Sequence, residues 1–380
     1  MDKKLQLIVV FLLIVFSVIN IGFPVIKNWG LFTEKFDPKL YEKKYNHSQY
    51  VIPQSKNPIS DEELDSYAGY RYATGLNPVL INSDHPPLGK YLIGWITVLT
   101  GNNRISSIVF ALGNIIILSS IIYYLSSSVL ITSLGVFFLS QDTMFIDQII
   151  HSPILDIIQV FFLLLYFFFF ILWLKKQRII LLFLLGVVLG CFCSIKLYFP
   201  AFVILTTIGV FLVLIKKPLR SILLVLVINI ILGFITYTAT YFVFFIKGNN
   251  LRSFLGAQKW IFLFWKNNSV QSSKFIGDAL TLILFNQWKV WWGDKPYIQF
   301  EHWSILWPVF FLAGIISAFL VLIKFRKKHT LLFFSLWTIL ITVYLSLLPI
   351  SPRYLMLLYF PIYILIPLVI QLVLKSKIKN

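Results

Sequence analysis

Charge is scarce in this 380-residue sequence: Asp, Glu, Lys and Arg together make up 13% of it, about half the roughly 25% of an ordinary soluble domain. Acids are scarcer still, with 15 Asp and Glu against 33 Lys and Arg. There are two cysteines, Cys191 and Cys193, and we detect neither an internal repeat nor a low-complexity linker. Each shortage excludes something. With 58% hydrophobic residues and a mean hydropathy of +0.84, there is too little polar surface to cover a soluble fold, so lipid must be part of the solvent. Two cysteines two residues apart in an apolar run point to different sides of a helix. That argues against a metal or redox pair and leaves packing. The excess of base does not mark a nucleic-acid partner, because the Lys and Arg residues come in short clusters between apolar runs, as topology signals do.

What is present is a series of long apolar runs. A hydrocarbon core of about 30 Å takes roughly 20 residues of helix. Ten runs qualify: 5–25, 104–125, 129–146, 154–174, 179–196, 198–215, 221–246, 303–323, 330–348 and 354–374. Lys3 and Lys4 precede the first run, which is too long for a signal-peptide core and has no small-x-small cleavage pattern, so we read it as a retained span. Basic clusters follow the fourth run (Lys175, Lys176, Arg178), the sixth (Lys216, Lys217, Arg220), the eighth (Lys324, Arg326, Lys327, Lys328) and the tenth (Lys375, Lys377, Lys379). With ten spans they all fall on one side, which the positive-inside rule makes cytoplasmic. The expectation is an all-α polytopic membrane protein, one domain over 1–380 with no large soluble domain after the last span. Its N- and C-termini are cytoplasmic, in a multi-pass plasma-membrane protein.

The opposite side then holds two long loops, 26–103 and 247–302. The first is the most polar stretch of the chain, with Asp61, Glu62, Glu63, Asp65, Asp84, His85, Lys90 and Arg104 in it or at its edge. Ser60 is an N-cap candidate with Glu63 at the capping-box position. Leu64, Tyr67, Ala68 and Arg71 follow at helical spacing, which reads as a short amphipathic helix on the membrane surface. Pro86 and Pro87 start a second amphipathic helix and hold Asp84 and His85 just before it. The second loop is aromatic: seven of the eleven tryptophans lie between Trp260 and Trp307, most of them as expected of an interfacial belt.

Asp61-Glu62, then Ala68-Gly-Tyr70, then His85-Pro-Pro-Leu-Gly-Lys90 resembles the first outer loop of GT-C-type glycosyltransferases, in particular the protein O-mannosyltransferases and their phospholipid-carrier-dependent relatives. Further matches follow along the chain. Ile154-Leu-Asp156 resembles the family's second acidic segment, although His151 stands where an arginine is usual. Gly186-Val-Val-Leu-Gly190 with Lys196 is similar to a family glycine motif followed by lysine. Arg353-Tyr354 with Pro361 is similar to a late family segment, and Trp288-Lys-Val-Trp-Trp292 is loosely similar to the aromatic outer loop.

The resemblance implies a GT-C-like bundle and transfer of a sugar, mannose by family likeness, from a polyprenyl-phosphate carrier to a protein, lipid or glycan hydroxyl, with inversion. It matches Asp61 to the base position, with Glu62 as the alternate, and Asp156 as an acid that orients the acceptor, acts through a neighbour or shares a divalent cation, Mg or Mn. No metal ligand set is assigned. The chemistry asks for those residue types. A carboxylate suffices as base where the hydroxyl loses its proton late in an oxocarbenium-like transition state. A departing lipid phosphate needs positive charge at the membrane surface, for which Lys196, Arg353, Arg104 and Lys90 are candidates. His85 either contacts substrate or fixes the loop. The rival class is a transporter or lipid-linked-sugar flippase, which usually binds at mid-membrane between repeated halves. Ionisable residues gathered at one face favour the enzyme, whose residues Asp61, Asp156, Lys196 and Arg353 must then meet in one outer cavity.

Overall fold

The computed structural model describes residues 3–377 apart from 152, 197, 269–271 and 291–296, so Trp291 and Trp292 of the aromatic loop lie outside the described residues. The chain is helical almost throughout. α1 (Lys3–Lys27) leads into the first loop, which folds as α2 (Trp29–Thr33), α3 (Pro38–Asn46), α4 (Asp61–Ala73) and α5 (Leu88–Thr100). α6 (Ile105–Ser126), α7 (Val129–Ser140), α8 (Thr143–Ile150), α9 (Leu155–Lys176), α10 (Ile179–Ile195), α11 (Phe199–Leu214) and α12 (Leu219–Ala239) make the first part of the bundle. The second loop contributes α13 (Phe242–Ile246), α14 (Leu251–Asn268) and α15 (Asp278–Phe285). α16 (Leu306–Lys324), α17 (His329–Ser346) and α18 (Met356–Lys377) complete the bundle, and a 3-10 turn, Pro352–Leu355, leads into α18. Among the described residues the β pairing is a single antiparallel bridge, Trp288 with Ile298.

All ten apolar runs are helical, but not all are full-length spans. Seven helices are long and apolar enough to cross a membrane, and α7 with α8 makes an eighth as a pair bent by 68°. The bend interrupts the expected third span. Asp142 stops α7 and caps α8, its side chain accepting from the Met144 N–H, so the polar residue starts a new helix rather than continuing the old one. α10 and α11 have 17 and 16 residues, about 25 Å of helix. α9 and α10 nevertheless form an antiparallel hairpin: Lys196 at the end of α10 meets Asp156 at the start of α9. The basic residues Lys175, Lys176 and Arg178 sit at the hairpin's other end.

In lipid there is little hydrophobic drive between helices, so association rests on close packing and buried hydrogen bonds. Phe167 meets Phe333, Phe334 and Trp337 edge to face at 5.1–5.7 Å, which joins α9 to α17. The Trp337 indole N–H donates to the Leu357 carbonyl at 3.0 Å and the Tyr166 hydroxyl to Asn229 Oδ1 at 2.9 Å. Gly186 and Gly190 let α10 lie directly on α12, where a methyl at either position would strike Leu232 or Thr236.

The first loop departs from expectation in one respect. α4 does not lie on the surface with one wet face, because Leu64 to Gly69 and Tyr72 are all buried. The reason is its pairing with α5: Gly69 and Gly94 face one another so closely that a side chain on either would collide with the other helix's backbone. Ser60 does cap α4 by accepting from the Glu63 N–H. Glu63 pairs instead with Lys44 of α3 at 2.5 Å, which ties α3 to the site-bearing helix.

Replacing Gly94 with Val should force α4 and α5 apart at a cost of about 1–3 kcal/mol, the usual range for overpacking. The measurement is thermal unfolding in detergent. The variant should melt below wild type and expose the first loop to protease.

Candidate functional site

Four helix ends and one loop meet at the end of the bundle away from the α9–α10 turn. Asp61 is the first residue of α4, and Asp156 is the second of α9. Lys196 caps α10, and Arg353 sits in the turn before α18. Residues 82–85 form the loop before α5. Asp61, Asp65, Asn82, Asp84, His85, Ile154, Leu155, Lys196 and Arg353 line one pocket.

Its centre is an ion-pair network. Lys196 Nζ donates to both oxygens of Asp156, at 2.7 and 2.8 Å, and lies 4.3 Å from the centroid of the Tyr354 ring. These two side chains are 7% and 4% exposed, so the pair is desolvated. Arg353 joins Asp156 to Asp61: its Nε is 3.2 Å from Asp156 Oδ2 and its Nη2 donates to Asp61 Oδ2 at 2.5 Å. Asp61 is the open end of the network, its side chain 56% exposed. Burial works to raise its pKa, but the Arg353 guanidinium outweighs burial and holds the carboxyl below its ordinary value. With Arg353 in this position the cavity is about 20 Å³, room for roughly one water molecule.

A second polar layer lies under the first. Lys90 is fully buried and donates to the Asn82 backbone carbonyl and side-chain oxygen, with the His85 carbonyl 3.5 Å away. Burial pulls its pKa down. His85 Nδ1 is 3.3 Å from Asp84 Oδ2, while its Nε2 is buried without a hydrogen-bond partner among the described residues. Burial lowers the imidazole pKa against the pull of Asp84, which favours the neutral ring, and with Nδ1 turned to Asp84 the Nε2 is the nitrogen left to accept. The Trp265 indole N–H of α14 donates to the Asp84 carbonyl at 2.8 Å, and its ring meets His85 edge-on at 5.2 Å. The second long loop thus braces the first. Asp65, one turn after Asp61 on the same face of α4, is 5% exposed. Burial pushes its pKa up to about 8, against the pull of Lys90.

The structure brings Asp61, Asp156, Lys196, Arg353 and His85 together. It leaves Glu62, Lys90 and Arg104 out of the pocket lining. Arg104 instead donates to the Ile150 carbonyl at 3.3 Å. His151 forms a separate cluster, with Asp147 Oδ1 at 2.5 Å from His151 Nδ1 and 3.1 Å from His302 Nε2. Asp65, Asn82, Asp84 and Trp265 were missed as site residues. Asp65 carried a signal, since positions 61 and 65 share a helix face. The others depend on contacts across up to 181 residues. Among the described residues no three His, Cys, Asp or Glu side chains are grouped to hold a cation; the groups that meet Asp156 are Lys196 and Arg353.

No family model and no curated protein matches the sequence. Among solved structures, the chain is similar to the crystal structure of ArnT from Cupriavidus metallidurans bound to undecaprenyl phosphate, with a TM-score of 0.58 at 13% identity. The match covers 84% of this chain and 59% of that one, so the chain spans a little under three fifths of its structural neighbour. The two share a fold, and the GT-C-like helical bundle expected from the first-loop residues is the fold found.

Breaking the desolvated pair from one side should be expensive. Lys196→Ala leaves Asp156 buried with Arg353 alone, and removal of one partner of such a pair costs about 3–5 kcal/mol. The double variant Asp156→Leu/Lys196→Met should recover most of the loss. Unfolding in detergent measures both. Equal damage from the single and double variants would show that desolvated charge is not the cause.

Proposed function

We propose that this protein is an inverting glycosyltransferase that moves one sugar from a polyprenyl-phosphate carrier to an acceptor hydroxyl at the non-cytoplasmic membrane face. The observation that carries the reading is the meeting of Asp61, Asp156, Lys196 and Arg353, residues up to 292 positions apart, at one end of the bundle. Basic clusters gather at the other end, at Lys175, Lys176 and Arg178, which supports the outward orientation. The ArnT neighbour, solved with undecaprenyl phosphate, supports the carrier class. Mannose as the sugar rests on the sequence resemblance, and a protein, lipid or glycan supplies the acceptor.

Lys196 and Arg353 receive the carrier phosphate. Asp156 holds both cations in place and is therefore a positioning residue. The closed pocket of about 20 Å³ is far too small for a glycosyl phosphate, so Arg353 has to leave Asp61 for substrate to enter. A phosphate is the natural competitor, since it offers the guanidinium charge-assisted hydrogen bonds of the same kind. Donor binding therefore frees the base. Once Arg353 turns to the phosphate, the charge that depressed Asp61 is shared elsewhere and its basicity rises. The acceptor oxygen then attacks the anomeric carbon from the face opposite the phosphate. The new C–O bond forms, the bond from carbon to phosphate oxygen breaks with its electron pair passing to the phosphate, and Asp61 takes the hydroxyl proton. Lys196 and Arg353 stabilise the charge that grows on the leaving group. Asp61 faces the pocket and Glu62 does not line it, which makes Asp61 the base of the two.

Membranes supplied with labelled polyprenyl-phosphate sugar test this. Asp61→Asn should cut transfer at least 100-fold, the lower end of what a general base contributes, with little loss of carrier binding. Arg353→Ala should weaken carrier binding as well. Full transfer by Asp61→Asn would remove it from the role of base.

A further inference from the structure

One acid in the pocket has no task in the chemistry above. Asp65 lines the cavity and is 5% exposed, and the cations nearest it are held by other partners. Its charged neighbours already have partners without it. The carboxylates Asp61 and Asp156 are met by Lys196 and Arg353, Asp84 lies beside His85, and Lys90, whose pKa burial lowers, is held by Asn82. A fourth carboxylate in the same desolvated space would stand uncompensated, which a buried group avoids by keeping its proton. The groups that face Asp65 are Asp61 on its own helix, Asp84 in the loop before α5, Lys90 on α5, Arg353 before α18, and the phenols of Tyr50 and Tyr72. Of these only Lys90 and Arg353 favour its ionisation. Lys90 is already committed to Asn82, and Arg353 to Asp61 and Asp156.

We propose that Asp65 works as a carboxylic acid, donating its O–H into the pocket to an oxygen of the sugar held there. This deepens the glycosyl-transfer reading and rests on it for the identity of the ligand. A carboxyl of this kind complements the other polar atoms of the wall. His85 Nε2 accepts, Asp61 accepts and Asp65 donates, so the wall can distinguish hydroxyl orientation on the sugar ring. As pH rises through about 8, Asp65 ionises, its donor is lost, and a charge appears beside the base. Transfer should therefore fall on the alkaline side.

The test has two readings, on full-length protein in lipid nanodiscs. Infrared difference spectra between wild type and Asp65→Asn should show a protonated carboxyl stretch at neutral pH that comes from Asp65 and fades as pH passes about 8. Labelled transfer should fall about ten-fold in Asp65→Ala, as for loss of one well-placed hydrogen bond, but about three-fold in Asp65→Asn, whose amide still donates. The alkaline loss seen in wild type should be absent from Asp65→Asn. A missing carboxyl band, or equal transfer by the Asn and Ala variants beside an active wild type, overturns the assignment of Asp65. A wild type that transfers nothing overturns the glycosyl-transfer reading, and the infrared band then decides the protonation state of Asp65 separately.

Discussion

The buried contact of Asp156 with Lys196 and Arg353 is the interaction on which the rest of the arrangement depends. A carboxylate at the start of a membrane helix costs several kcal/mol to desolvate unless cations meet it. Here two do, one from the end of α10 and one from the turn before α18. That requirement fixes the relative height of three helices. It sets α10 beside α9 so that its 17 residues end level with the start of its partner. It also brings a residue from the C-terminal part of the chain against one from the first loop. The network ends at Asp61, which is exposed enough to meet an incoming molecule yet tied closely enough to be held ready.

On the proposed reading, the same network explains how a carboxylate acting as base can sit beside a guanidinium without being a permanently weak base. The pairing is a resting arrangement, and its cation is the group a lipid phosphate would seek. In the proposed reaction charge therefore links the two substrates: the donor removes the restraint on the base, and the acceptor meets the base only after that. The surrounding fold supplies stiffness. α4 and α5 are locked backbone to backbone at Gly69 and Gly94, Lys90 clamps residues 82–85 from below, and Trp265 clamps them from the second loop. Movement is thus left to the Arg353 side chain and to Asp61, the most exposed member of the network.

Much of this was legible in the residues. Ten apolar runs with basic clusters at alternate junctions gave the bundle. The paired prolines after Asp84 and His85 gave a fixed loop; Asp156, Lys196 and Arg353 could be named as ionisable residues at span ends, and Asp61 by the resemblance of the first loop. What was hidden depended on tertiary contact. α4 has the pattern of a surface helix, and the meeting of Gly69 with Gly94, together with Tyr41 and Tyr45 of α3, buries it. Lys90 reads as a phosphate ligand, and nothing in its sequence position shows that it is buried and donates to Asn82. Asp65 sits in an acidic run that a capping helix explains equally well, and its burial comes from α5 and the loop before it. Asp142 interrupts a run apolar enough to be one span, because a polar side chain able to cap the next turn outweighs continuity.

The most direct measurement is an electron cryo-microscopy structure of the protein in lipid with polyprenyl phosphate added. The account predicts the phosphate between Lys196 and Arg353, the guanidinium turned away from Asp61, Asp156 still joined to Lys196, and an enlarged pocket. A phosphate bound elsewhere, with the 2.5 Å contact between Arg353 and Asp61 intact, would contradict it.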